Sequence, residues 1–182
     1  MGAEYLYVIR ERFKEVKGLG DKTIQQLSEE EIYWSPNQSS NSTAVIMKHV
    51  SGNMISRWTD FLTTDGEKNN RKRDQEFIDD RASKQEMIST WDNGWKTLFH
   101  AIDHLDEENL LQEIYIRGEA HTVIEAVERQ LAHYSYHVGQ MVYVGKLLKE
   151  EEWESLSIPK GKSDEYLQDT LKRKRESGQE NK

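Results

Sequence analysis

The chain has 182 residues, 35% of them hydrophobic and 32% charged, and a formal net charge of −8. That length suits one domain with a modest core, and an acidic surface repels phosphate backbones, which argues against a nucleic-acid partner. The absence of cysteine excludes disulfides, thiolate metal sites and a cysteine nucleophile, so any metal must be held by His, Asp or Glu.

Residues 3–33 read as the first helix, with apolar positions at Tyr5, Val8, Ile9, Phe13, Val16, Leu19, Ile24 and Leu27, and with Gly18–Gly20 as a place to bend. Its early charges are unlike a signal peptide, and no stretch approaches the roughly 18 apolar residues of a membrane span. The expectation is a cytoplasmic protein with no membrane partner. A turn-rich loop, WSPNQSSNS, follows. The second helix is expected over Ser42–Leu62, with Ser42 as N-cap and an apolar stripe at Ile46, Val50, Met54, Trp58 and Phe61. The polar stretch TTDGEKNNRKRDQ, with its basic run Arg71–Arg73, reads as a loop, and the second basic run, Lys172–Arg175, reads as a solvated tail. A third helix over Ser83–Leu105 carries Ile88, Trp91, Trp95, Leu98, Ile102 and Leu105; Trp91 and Trp95 share a face that suits either a core or a dimer interface. Ile114–Ile116, ended by Gly118, reads as a short strand or extended connection.

The fourth helix, Thr122–Lys149, places Ile124, Val127, Leu131, Tyr134, Val138, Met141 and Leu148 in the core. Beyond Glu150 a short helix and a charged end are expected. Gly161–Lys162–Ser163 resembles the end of a phosphate-binding loop, but Leu156 stands where that motif needs glycine. The expected architecture is all-α: a four-helix bundle over residues 1–160 with a short extended segment before the last long helix, then a charged tail over 161–182.

Six histidines occur, and two pairs have the i,i+4 spacing that sets two rings on one helix face. The row through His100 and His104 contains Asp92, Lys96 and Glu107, so that pair reads as solvated. The row through His133 and His137 continues through Met141, Val144 and Leu148, so that pair faces inward. His49 follows Val45 and Ile46, and its row then passes Gly52, Asn53, Ser56 and Asp60. Small and polar groups replacing an inner row suggest a cavity into which His49 can point. One ligand from one helix and a pair from another make a three-histidine site with open coordination positions, as in catalytic zinc centres.

KHVSGNMISRWTDFL (Lys48–Leu62) with the following TTDGEK, and LAHYSYHVGQMVYVGKLL (Leu131–Leu148), resemble the DinB/YfiT-like superfamily, and within it the DUF1572 type of bacterial proteins. IRGEAHTV and SIPKGKS look like the same group, and the similarity spans nearly the whole chain. The resemblance implies an up-down-down-up four-helix bundle, often homodimeric. It also implies one divalent ion, zinc or nickel, on the three positions that match here: His49, His133 and His137. Characterised members include thiol-dependent S-transferases that use bacillithiol and a mycothiol-dependent maleylpyruvate isomerase; others are described as metal-dependent hydrolases.

Two functions follow. In the first, the chain is a metal-dependent transferase or hydrolase; a low-molecular-weight thiol, held as thiolate, fits a protein with no cysteine of its own. Gln140, Asn53 and Asp60 are then candidates for groups around the metal, and Arg57 and Arg117 for binding a substrate carboxylate. In the second, the metal only staples two helices of a stress-related scaffold protein. That function calls for a fourth protein ligand, with Asp60, Gln140 or His121 as candidates.

Overall fold

Serine and threonine side chains fix where three of the long helices begin. In the computed structural model, which describes residues 1–177, the elements are α1 (Gly2–Gln26), α2 (Thr43–Trp58), α3 (Lys84–Asp103), β1 (Glu113–Ile116), β2 (Glu119–Thr122), α4 (Val123–Lys149) and α5 (Ser163–Glu176), joined by short 3-10 turns. The Ser42 hydroxyl accepts the amide of Val45 at the start of α2. Ser83 with Glu86 and Thr122 with Glu125 form reciprocal capping boxes at the starts of α3 and α4. The chain is thus mostly helical with one small antiparallel hairpin. Among the described residues no helix is long and apolar enough to cross a membrane.

The core lies where α1, α2, α3 and α4 meet, with α2 against both α3 and α4. Buried residues run round most of α2, the pattern of a central helix. Gly94 of α3 lets the two backbones close in, since a Cβ there would lie 2.7 Å from Ser51 Cα. Phe13, Trp58, Trp95 and Tyr134 bring one aromatic ring from each of the four helices together at centroid distances of 5.9–6.5 Å. Trp91 and Trp95 are both buried in this core, edge to face at 5.4 Å. Truncating one such ring costs on the order of 3–5 kcal/mol. Tyr134 also orders polar groups: its hydroxyl accepts from Trp58 Nε1 at 3.1 Å and donates to Asn53 Oδ1 at 2.9 Å.

Several expected boundaries move. α1 ends at Gln26 rather than at 33, because Leu27 turns extended and Ser28 and Glu31 cap each other. The Ser28 hydroxyl accepts the Glu31 amide and the Glu31 carboxylate accepts the Ser28 amide, so S-E-E-E opens a new turn instead of continuing the helix. Within α1, Val8 and Leu19 face solvent. α2 stops at Trp58 rather than Leu62, since Thr59 is extended and Asp60 takes a positive φ of 48°. The extended segment is a complete hairpin: Arg117 (φ 56°) and Gly118 (φ 76°) form its two-residue turn, and polar Glu119–Thr122 is a second strand. Asp65 accepts the amides of both turn residues and ties the hairpin to the loop after α2. In the tail, α5 buries no residue, and 178–182 lie outside the described residues.

Candidate metal centre

α2 carries His49 inward, and α4 carries His133 and His137 one turn apart on its inner face. His49 and His137 are buried and His133 is partly buried. One ring nitrogen from each lies within 4.8 Å of the other two. The Nε2 atoms of His133 and His137 are 3.1 Å apart, and the His49 ring stands 5.5 Å and 4.9 Å from theirs, edge on. Two nitrogens bound at about 2.05 Å to a tetrahedral ion sit roughly 3.3 Å apart. The His133–His137 spacing matches that value. Two facing imidazole lone pairs need either a shared proton or a cation between them, so the donor set fits a divalent ion.

The far nitrogens of two rings are held in place. His49 Nδ1 lies 2.9 Å from Glu76 Oε2, which as a carboxylate can only accept. The proton is therefore on Nδ1, and the Nε2 lone pair is free. His137 Nδ1 is 3.2 Å from Gln140 Oε1, which fixes the same tautomer. Carboxylate and carbonyl acceptors behind metal-binding imidazoles set ring orientation and raise ligand basicity. Glu76 is in turn clasped by Arg71 through two hydrogen bonds of 2.8 Å. It packs against α2 at Gly52, where a Cβ would meet the Glu76 carboxylate. Ser56 on the same row bonds the Gly66 carbonyl and the Lys68 amide. The small polar row of α2 is thus the seat of the loop over residues 63–80.

Charge favours neutral imidazoles. Burial pushes His133 down to about 3, helped by His137, His49, Arg57 and Arg71. Burial and the nearby His49 push His137 down to about 4, against the Gln140 hydrogen bond. At neutral pH both rings are uncharged and ready to bind a cation without first losing a proton. Burial alone would raise the Glu76 carboxyl, but hydrogen bonds from His49 and Arg71 and the Arg71 charge hold it below its ordinary value.

The residues named from the sequence divide. His49, His133 and His137 come together, with Gln140 behind His137 and Asn53 and Arg57 beside them on α2. Arg117 reaches the same cavity from the hairpin turn, with Nε 3.2 Å from Glu67. Asp60 does not join them: it is exposed in the turn after α2, where its carbonyl accepts the amides of Thr63 and Thr64. His121 lies on β2 near Glu119, and His100 at the end of α3 and His104, which caps it, are both exposed. Among the described residues no carboxylate and no further imidazole joins the three histidines. Sequence reasoning missed Glu76 and Arg71; the sequence puts Arg71 only in a polar loop, and its side chain is 4% exposed. The apolar Phe77 after Glu76, in an otherwise polar stretch, is the signal that part of this loop packs inward; its ring lies tilted against His49 at 4.7 Å, whereas the adjacent Ile78 is exposed.

The family described as "Protein of unknown function (DUF1572)" matches residues 1–162. The chain belongs to this DUF1572 family. No curated protein and no solved structure matches it. The DUF1572 match spans all the residues of the centre, from His49 through Glu76 to Gln140.

Proposed function

We propose that this DUF1572 chain is a DinB/YfiT-like metalloenzyme that holds one zinc or nickel ion on His49, His133 and His137 and acts as a thiol-dependent transferase or a hydrolase. The observation that carries this reading is the pair of fixed tautomers: Glu76 and Gln140 occupy the outer nitrogens of His49 and His137 and leave Nε2 of each free, against a neighbour 3.1 Å away in the case of His137. The packing of α1 on α4 and α3, and of α2 on α3 and α4, supports the four-helix arrangement that goes with it.

An ion with open positions supplies Lewis acidity, which acidifies a water or a thiol bound to it. The chain's own residues do the rest. Glu76 fixes the His49 ring and adds negative charge behind it; Gln140 does the same for His137 without charge. Arg71 keeps the Glu76 carboxylate ionised and still. A purely structural staple would require a fourth protein ligand. Gln140 is engaged on the outer face of His137, Asp60 is in solvent and His121 is on the hairpin, so the enzyme is favoured over the scaffold. A small external thiol fits a protein that has no cysteine.

The test is the metal content of the purified protein by mass spectrometry, beside His49→Ala, His137→Ala and His104→Ala. About one ion per chain is expected in the wild type and in His104→Ala, and none in the other two, because metal and folded ligands bind as a unit. A wild-type protein that takes up no metal on addition sinks the reading. In the cobalt-substituted protein, a thiol that shifts the visible spectrum supports transfer chemistry; a spectrum no thiol perturbs argues for the hydrolase arm.

A further inference from the structure

The cavity beside His49 and His133 has a volume of about 210 Å³, and five arginines wall it: Arg57, Arg71, Arg73, Arg117 and Arg129. Only Glu67 and Glu76 pair with them among the described residues, and both are shared. Glu67 lies 3.2 Å from Arg71, 3.2 Å from Arg117 and 3.9 Å from Arg57, while Glu76 serves Arg71 and His49. Arg129 and Arg73 make no ion pair among the described residues; Arg73 only lies over the Phe77 ring at 5.1 Å. In a chain of net charge −8, this is a concentrated positive pocket on an acidic protein.

Arg57 points most directly to a ligand. It is 4% exposed, and its Nε and Nη1 have no hydrogen-bond partner. A buried guanidinium with donors left unmade is costly to the fold, and such donors are normally satisfied. Gln130, 2% exposed in the same wall, also has its Oε1 without a partner. The planar fork of arginine matches the two oxygens of a carboxylate or a phosphoryl group, which satisfy several N–H donors at once. Arg57 and Arg71 are buried at the base, while Arg73 and Arg129 are exposed and the Arg117 side chain is 55% exposed. Such a gradient draws a small anion inward.

We propose that this cavity seats the oxyanion group, carboxylate or phosphate, of a small substrate whose other end reaches the three-histidine centre. The inference rests on the proposed metalloenzyme for the reaction, but the seat itself stands on Arg57, Arg73 and Arg129. The volume of about 210 Å³ suits an oxyanion group with a few further atoms. The unpaired Gln130 oxygen adds a place for a hydroxyl or N–H donor on the same molecule.

Calorimetric titration of the full-length chain, zinc-loaded and metal-free, with inorganic phosphate and separately with succinate tests this. One site is expected, at least about tenfold weaker in Arg129→Gln and in Arg73→Gln, and lost in Arg57→Met, with metal content unchanged in all three. The tighter of the two anions names the source of the oxyanion. Should Arg57→Met fail to fold by circular dichroism, the two exposed variants carry the test. No binding of either anion to the wild type overturns the proposal. So does binding that the arginine variants leave intact, or that vanishes with the metal alone, since the anion is then merely a metal ligand. Arginine-dependent anion binding in a chain that never takes up metal supports the seat and overturns the metalloenzyme.

Discussion

His100 and His104 at the C-terminal end of α3 stand one turn apart, as do His133 and His137 on α4, and the ring centroids are 4.3 Å and 4.7 Å apart. In the α3 pair His104 Nδ1 is 2.7 Å from the His100 carbonyl, and both rings lie in solvent at the helix end. In the α4 pair a third imidazole arrives from α2, a carboxylate and an amide fix two outer nitrogens, and burial keeps the rings neutral. Spacing supplies two donors to either pair. Only the α4 pair is completed by a third imidazole from a separate helix and by a loop that supplies the acceptor behind it, and these additions make it the candidate cation site.

The contrast can be broken outright. Replacing His133 and His137 together by alanine is expected to take bound metal from about one ion per chain to none, whereas the His100/His104 double variant keeps it; mass spectrometry of both proteins decides. Removing only the support is a milder blow. Glu76→Gln removes the charge behind His49 and beside Arg71, and metal affinity should fall roughly 10–100-fold in a chelator competition. An unchanged affinity would mean that Glu76 serves the loop rather than the centre.

Acid should separate the pairs next. With folded values near 4 and 3 for His137 and His133, below the unfolded value of 6.5, the unfolded chain binds protons there that the folded chain does not. The stability of the metal-free protein is therefore full above about pH 6.5 and falls as pH drops towards 4. Denaturant melts across that window should show the slope flattened in the His133/His137 double alanine variant and intact in the His100/His104 one. The smallest effect tests the platform beneath the centre. Tyr134→Phe strands the buried Trp58 donor and Asn53 acceptor and should cost about 1–3 kcal/mol by chemical denaturation, with metal content retained. Loss of metal in that variant would tie the centre to core packing rather than to its own ligands.

The α4 side of the site was legible because the apolar row that continues through Met141 and Val144 gives the faces of His133 and His137 directly. His49 was legible through the small groups that follow it, though Gly52 and Ser56 prove to seat a loop, with Glu76 packed against Gly52. The helix starts at Ser42, Ser83 and Thr122 follow from local capping chemistry, two of them as full capping boxes. The same chemistry at Ser28–Glu31 ended α1 early, where the apolar pattern ran on. Glu76, Arg71 and the second strand lay out of reach of periodicity. Their positions come from contacts between segments: Glu76 is 27 residues from His49, and Asp65 is more than 50 from the hairpin turn it holds.

The loop over residues 63–80 packs against α2 and carries Glu76, Arg71 and Arg73 to the site together. Lifting it would free the His49 tautomer, expose the cavity and remove two guanidiniums together. If the histidines hold an ion as proposed, closure of the loop and capture of that ion become linked equilibria, each favouring the other by the same free energy. In that case a protease that cuts at Lys72 and Arg73 would read metal occupancy, and a chelator would act on the metal-loaded protein as a reagent that opens a backbone segment.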